Sequence, residues 1–357
     1  MKKWIKILMI IIAIVAITGA YVVWTMMQAP MYQVGDSRSG KYAPAPEEAP
    51  IQTGQDNYWD MEEDISLYHF SQGTGRNVLI IHGGPGMPYT DPWIGLEGLG
   101  DSFTFHYYDQ RGAGRSSRPI TEFDNSNMYE NMQYLEAQLG ISAQLADIER
   151  IRLLLGEDKL VIIGHSFGGL LATLYASEYP EHVEAMVLVA PAPLLKMPME
   201  VPGLFDSIES RLSGPLLAEY QEYMKSYFDF SSMFTKTDQE LSILNGAMGK
   251  YFSAALDKEG FTLPEAGKPG GWMVQAMYFS MGQRHDYTPS VGQVSAPTLI
   301  LHGDQDIVQT KEASELYLDL LPNSEMTIIP KASHMMYNDQ PTLFEQAVGK
   351  FLGPYVR

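Results

Sequence analysis

This chain predicts an α/β fold: a mostly parallel central sheet flanked by helices, interrupted by an inserted helical cap and preceded by an N-terminal transmembrane helix. Three observations carry that reading. Apolar, β-branched runs alternate with helical patterns from about residue 62 to 193 and again from 289 to 357. Between them, residues 194–288 are rich in Met and aromatics and lose the alternation. At the start, residues 7–27 form an uncharged apolar stretch behind Lys2, Lys3 and Lys6. A length of 357 residues suits one large α/β domain with an insertion.

Taken in order, residues 1–27 read as a membrane anchor or signal segment. A helix over 7–27, at about 1.5 Å per residue, reaches the roughly 30 Å of a bilayer core. Trp4 and Trp24 bracket it. Lysines on the short side keep that end cytoplasmic and send the body to the exported, periplasmic or extracellular face. Small residues at Thr18-Gly19-Ala20 offer the alternative of secretion after cleavage near Ala20. Residues 28–56, rich in Pro, Gly, Ser and Gln without apolar periodicity, have the composition of a flexible linker.

The first part of the core, 57–193, holds strands in "DISLYHF", "NVLIIHGG" and "SFTFHYYDQRG". A helical stripe follows at Leu145, Ile148, Ile151 and Leu155, closed by Gly156. Then come the strand "KLVIIGHS", the helix "GGLLATLYASEYP" ended by Pro180, and the strand "VEAMVLVAPAP". The cap, 194–288, carries helical patterns in "GPLLAEYQEYMKSYF" and "WMVQAMYFSMGQ". Met273, Met277 and Met281, four residues apart beside Tyr278 and Phe279, read as cap core; any that reach a pocket favour an apolar acyl or side-chain group. The second part of the core, 289–357, resumes with "APTLILHGDQD", "SEMTIIP" and "TLFEQAVGKFL".

Composition sets limits on function. The net charge is −19, and the charges before residue 28 are all lysines, so the body is more acidic still; that disfavours nucleic acid. With no cysteine the chain has no disulfide, thiol nucleophile or Cys-ligated metal, and nothing in it calls for a cofactor.

The chemistry sits in "VIIGHSFGG", residues 161–169. Gly164-His165-Ser166-Phe167-Gly168 follows a buried-strand run and opens a helix pattern, the setting of a serine held on a sharp strand-to-helix turn. Its neighbours must be small, and Gly164, Gly168 and Gly169 are. A serine hydroxyl needs a base and an orienting acid, which for this turn follow downstream as acid, then histidine. Among eight histidines, His334 in "IIPKASHMMYND" lies just past a terminal strand, on a loop expected at the carboxyl edge of the sheet. His69 and His106 fall within strand patterns, His82 and His302 end strands, and His182 and His285 lie outside strand ends. In "LILHGDQDIV" both Asp304 and Asp306 follow a strand; Asp304 suits a turn and Asp306 has the offset from Gly303 of the orienting carboxylate. An oxyanion needs donors, for which the N–H of Phe167 and that of Gly84 in His82-Gly83-Gly84-Pro85-Gly86 are placed, with Gly83 as fallback.

"HGGPG" (82–86), "DQRGAGRS" (109–116), "GHSFGG" (164–169), "GDQD" (303–306) and "ASH" (332–334) stand in the order and spacing of a known family. The chain resembles the prolyl iminopeptidase-like branch of the α/β-hydrolase superfamily over residues 60–193 and 289–357. The resemblance implies an aminopeptidase that releases an N-terminal residue, often proline, with cap carboxylates gripping the free amine. It also implies that Asp109 and Arg111 brace the oxyanion loop. The chain departs from the family in Ile307, where some members carry an acid, and in its membrane segment. Glu200, Glu209, Glu219 and Glu222 are the candidate cap acids. The expected activity is serine hydrolysis of short peptides or amides. An esterase of small acyl esters, an acyl transferase and a non-catalytic, membrane-anchored binding protein on the same scaffold are alternatives; enzymes that use aspartate at position 166 are disfavoured.

Overall fold

The computed structural model describes residues 28–42, 46–199, 201–230 and 232–356. The expected anchor or signal segment, 1–27, lies outside the described residues, as does Glu200; among the described residues no helix is long and apolar enough to cross a membrane.

Eight strands form the central sheet. They are β1 (Tyr58–Glu62), β2 (Ile65–Gly73), β3 (Arg76–Ile81), β4 (Phe103–Tyr108), β5 (Leu160–His165), β6 (Val183–Val189), β9 (Thr298–Gly303) and β10 (Ser324–Ile329), while β7 (Lys196–Met197) and β8 (His285–Asp286) pair separately. The order is β1-β2-β4-β3-β5-β6-β9-β10. From β4 to β10 every neighbouring pair is parallel; β2 joins antiparallel to both β1 and β4. β3, β5, β6 and β9 alternate between two cores, as period-2 side chains on a sheet covered on both faces must. Leu79, Ile162, Leu188 and Ile300 pack toward the helices Ile141–Leu154 and Phe167–Glu178. Val78, Ile163, Val187 and Leu301 pack toward Trp93 and the helix Pro341–Leu352.

Register determines where the loops emerge. Ile81 pairs with Gly164, His165 with Val189, Val189 with Leu301, and Gly303 with Ile329. The segments after β3, β5, β9 and β10 therefore leave the sheet at one carboxyl edge, although they are up to about 250 residues apart in sequence.

Between the ladder β7–β8, which pairs Lys196 with Asp286 and Met197 with His285, the chain builds the helices Leu204–Arg211, Gly214–Tyr227, Asp238–Gly246, Met248–Lys258 and Trp272–Met281. Met273, Met277 and Met281 are buried in the core, and Val274 and Tyr278 of the same helix turn toward the cavity described below.

The linker reading of residues 28–56 needs correction over its first half. Residues 28–42 are docked on the body: Tyr32 and Ser37 are fully buried, the Tyr32 hydroxyl donates to Glu178 Oε1 at 2.6 Å, and the Tyr32 N–H donates to the Ser280 carbonyl at 3.0 Å. Such a segment satisfies its backbone through distant partners and so leaves no periodic trace in its own sequence.

Beneath that segment, Glu136 on the helix Met128–Leu139 is buried, accepting from the Ser280 hydroxyl and, at 3.3 Å, from the Ser142 N–H. Burial raises its carboxyl from the ordinary 4.5 to about 7. The folded state then holds a proton that the unfolded state releases above about pH 4.5, so stability falls as pH rises from there to about 7. Glu136→Gln is expected to flatten that decline, gaining on the order of 2–3 kcal/mol over wild type at pH 8 and little at pH 4. Denaturant melts across this range check it, and a variant whose stability runs parallel to wild type contradicts it.

Candidate active site

The turn after β5 is tight enough to dictate its residue types. Ser166 has φ 54° and ψ −119°, an unusual backbone for a residue with a side chain, costing about 1–3 kcal/mol. The fold pins it there. Its N–H donates to the Val189 carbonyl at 2.9 Å, and its carbonyl accepts from Gly169 and Ala192 at 2.9 and 3.0 Å. A Cβ at Gly168 would stand 2.1 Å from the Ile81 carbonyl oxygen, and one at Gly164 would stand 2.5 Å from the Gly168 oxygen. Only glycine lets strand and helix close this far around the serine. The Ser166 hydroxyl has no hydrogen-bond partner among the described residues and opens into a cavity of about 170 Å³.

His334, five residues past β10, lines the same cavity. Its Nδ1 donates to Asp306 Oδ2 at 2.8 Å. The Asp306 side chain is fully buried, and its other oxygen accepts the N–H groups of Val308 and Gln309 at 2.7 and 3.0 Å. Asp304, the other candidate, instead accepts the Ala332 N–H at 3.3 Å and holds the turn that leads to His334. Of the other histidines, His69 stacks on Trp59, His106 bonds Asn77, and the His302 ring is taken by the Ser314 hydroxyl at 3.2 Å.

The loop after β3 lies directly against the serine. A Cβ at Gly83 would come within 2.8 Å of Ser166 Cβ and 3.5 Å of the Phe167 nitrogen, and Gly83 and Gly84 both line the cavity. Gly84 has φ +116°, open to glycine alone. Phe167 is the first residue of its helix, where N–H groups have no partner inside the helix.

The support of that loop differs from the expectation. Gln110, rather than Asp109 or Arg111, grips it: its N–H donates to His82 Nε2 and its side chain to the His82 carbonyl, both at 3.0 Å. Burial takes His82 down to about 4, so the ring stays neutral and keeps Nε2 as the acceptor. Asp109 holds its own loop, accepting the Arg115 N–H at 2.7 Å. Arg111 faces the body, forking onto Asp147 at 2.5 Å for each contact and reaching Glu62 at 2.8 Å. Both side chains are buried, and their hydrogen bonds go to these partners rather than to the glycine loop.

His165 was visible only as a filler of the serine motif. Its Nε2–H donates to the His334 carbonyl at 3.1 Å, which leaves Nδ1 to accept the Tyr89 hydroxyl at 2.7 Å. Burial, and then the adjacent His334 ring, hold it well below the ordinary histidine range. It thus ties the serine's strand to the histidine's loop as a neutral link. A histidine immediately before the serine was the available signal, but the partner carbonyl 169 residues away was not.

None of the described candidate cap acids lines the cavity. Glu209 accepts from Gln221, Glu219 pairs with Lys250, and Glu222 pairs with Lys225. The one carboxylate among the described lining residues is Glu265, on the cap segment that bridges Tyr89 through Ala266. The rest of the cap side is largely apolar, with Leu204, Phe205, Met248 and Phe252, broken by Asn245 and by the hydroxyl pair Tyr227–Tyr278 at 3.1 Å. Among the described residues no cluster of three metal-ligating side chains occurs.

A family model described as alpha/beta hydrolase fold matches residues 76–341. The chain is similar to a proline iminopeptidase of Heyndrickxia coagulans, 26% identical over 81% of this chain and 94% of that protein. It is similar to a proline iminopeptidase of Saccharolobus solfataricus, 26% identical over 79% of this chain and 86% of that one. Among solved structures, a thermophilic esterase from Thermogutta terrifontis shares the fold with a TM-score of 0.54, at 21% identity over 82% of this chain and 95% of that one.

Proposed function

The chain belongs to the α/β-hydrolase fold family, on its prolyl iminopeptidase-like branch, and from that premise we propose that it is a serine hydrolase working through an acyl-enzyme. One observation carries the reading: His334, held by a buried aspartate, shares a cavity with a serine fixed on a strained turn. In this reading Ser166 attacks the carbonyl while His334 takes its proton. Asp306 holds the imidazole with its proton on Nδ1 and stabilises the imidazolium. The N–H groups of Phe167 and Gly84, or Gly83 in its place, receive the oxyanion. His334 returns the proton to the leaving atom, and water repeats the sequence to release the acid. The open Ser166 hydroxyl is consistent with a pair that tightens when substrate arrives.

We take the substrate to be a short peptide or amide with a free N-terminal residue, as the relatives' names indicate. Glu265 is the side chain that would receive its amine. The apolar cap wall favours a second reading, an esterase of small acyl esters. A prolyl arylamide and its N-acetyl derivative, assayed beside a short-chain nitrophenyl ester, separate the two. The peptidase reading expects the free arylamide to be cleaved and acetylation to abolish cleavage. Ester hydrolysis with both arylamides inert transfers the assignment to the esterase.

A further inference from the structure

The two segments that wall the cavity also wall a second, polar hollow beside it. Pro264, in the cap segment 260–266, borders both spaces. Facing it, His334 borders the cavity, whereas Lys331, Asn338 and Gln340 of the same stretch border the hollow. Lys331 is the only lysine or arginine among the described residues lining either space, and it makes no ion pair among the described residues. The hollow also holds one carboxylate, Asp339, whose Oδ2 is turned onto the Ser333 N–H and hydroxyl at 2.8 and 2.5 Å. The turn carrying Lys331 is fixed, with its carbonyl accepting from Gln340 at 3.1 Å.

Reaction geometry assigns the hollow a role. The histidine that takes the serine's proton delivers it to the leaving atom, so the leaving group must lie within hydrogen-bond reach of that ring. With the acyl group in the apolar cavity, a leaving group beside His334 has the hollow, walled by the same segment, as the neighbouring space. We propose that this hollow is a leaving-group subsite in which Lys331 receives an anion, as the C-terminal carboxylate of a short peptide would supply; the proposal rests on the hydrolase reading above. An ammonium left unpaired here offers local attraction on a chain whose net charge of −19 repels anions in general.

The test compares two aryl esters of one acyl group, one leaving as 4-hydroxybenzoate and the other as the neutral 4-hydroxybenzamide. The readout is the ratio of their kcat/KM values within each protein, which cancels any loss of folded enzyme. Relative to Lys331→Gln, wild type is expected to favour the carboxylate about three- to fivefold, the size of an exposed charge pair, acting on KM. Lys331→Glu should push the ratio below that of Lys331→Gln. The wild-type preference should vanish at about 1 M salt, where screening acts beyond ~3 Å. Ratios that are equal in wild type and both variants overturn the subsite and leave the hydrolase reading standing. Failure to cleave either ester, together with no labelling by a fluorophosphonate, overturns both.

Discussion

Replacing Ser166 with alanine is expected to lower kcat by about 10⁴- to 10⁶-fold and to abolish labelling by a fluorophosphonate, while the fold survives. The size follows from what is lost. No other hydroxyl occupies the strained turn between β5 and the helix Phe167–Glu178, so no residue can take over the covalent step. The fold survives because the hydroxyl has no partner among the described residues, and what holds the turn is backbone, through Val189, Gly169 and Ala192. Alanine accepts the same φ 54° at a similar strain. Burst kinetics with a nitrophenyl ester and a thermal melt of the same sample check both halves. An alanine variant that retains activity within tenfold of wild type would mean that the nucleophile lies elsewhere.

This outcome depends on features that were legible in the sequence to different degrees. The strands were plain because a sheet covered on both faces needs continuous apolar runs, and "NVLIIHGG" and "KLVIIGHS" became β3 and β5. The glycine-flanked turn sets Ser166 apart, and the fold places it at the cavity. The offset of three residues from Gly303 favours Asp306 over Asp304, and it is Asp306 that bonds His334 while the Asp304 carboxylate holds the neighbouring turn. What escaped was decided between segments remote in sequence. β1, "YWDME", has too short an alternation to stand out. The resemblance implies Asp109 and Arg111 as braces of the glycine loop, whereas the Gln110–His82 grip, an amide on a ring nitrogen and a backbone carbonyl, leaves no pattern in the sequence. The cap acids looked equivalent because helix-surface glutamates share one pattern whether they face solvent or substrate. Glu265, on an extended segment, had no pattern at all, and only the bridge from Ala266 to Tyr89 brings it to the cavity. Docking of residues 28–42 was invisible for the same reason, since a glycine- and proline-rich composition predicts a tether whether or not a body lies beside it.

Asp306→Asn is expected to lower kcat by about 10³- to 10⁴-fold at nearly unchanged KM, a large effect for a change of one atom. The direction follows from the buried environment. The N–H groups of Val308 and Gln309 both donate to Oδ1, at 2.7 and 3.0 Å. An asparagine must place its carbonyl oxygen there, because turning its amide N–H₂ toward those donors would bury two clashing donor pairs. Its N–H₂ then faces His334 Nδ1, which must accept rather than donate. The imidazole proton moves to Nε2, and the ring presents a donor where the serine needs an acceptor. The side chain is fully buried, so no water can take over either hydrogen bond. His165 leaves the ring little alternative: its Nε2–H on the His334 carbonyl fixes the backbone that carries the imidazole, and its own ring packs 4.6 Å from that of His334. Nitrogen NMR of the imidazole in the variant should report protonated Nε2, and steady-state kinetics should place the loss in kcat. A variant that keeps Nδ1 protonated, or turns over within tenfold of wild type, would show that His334 draws its orientation from some other group.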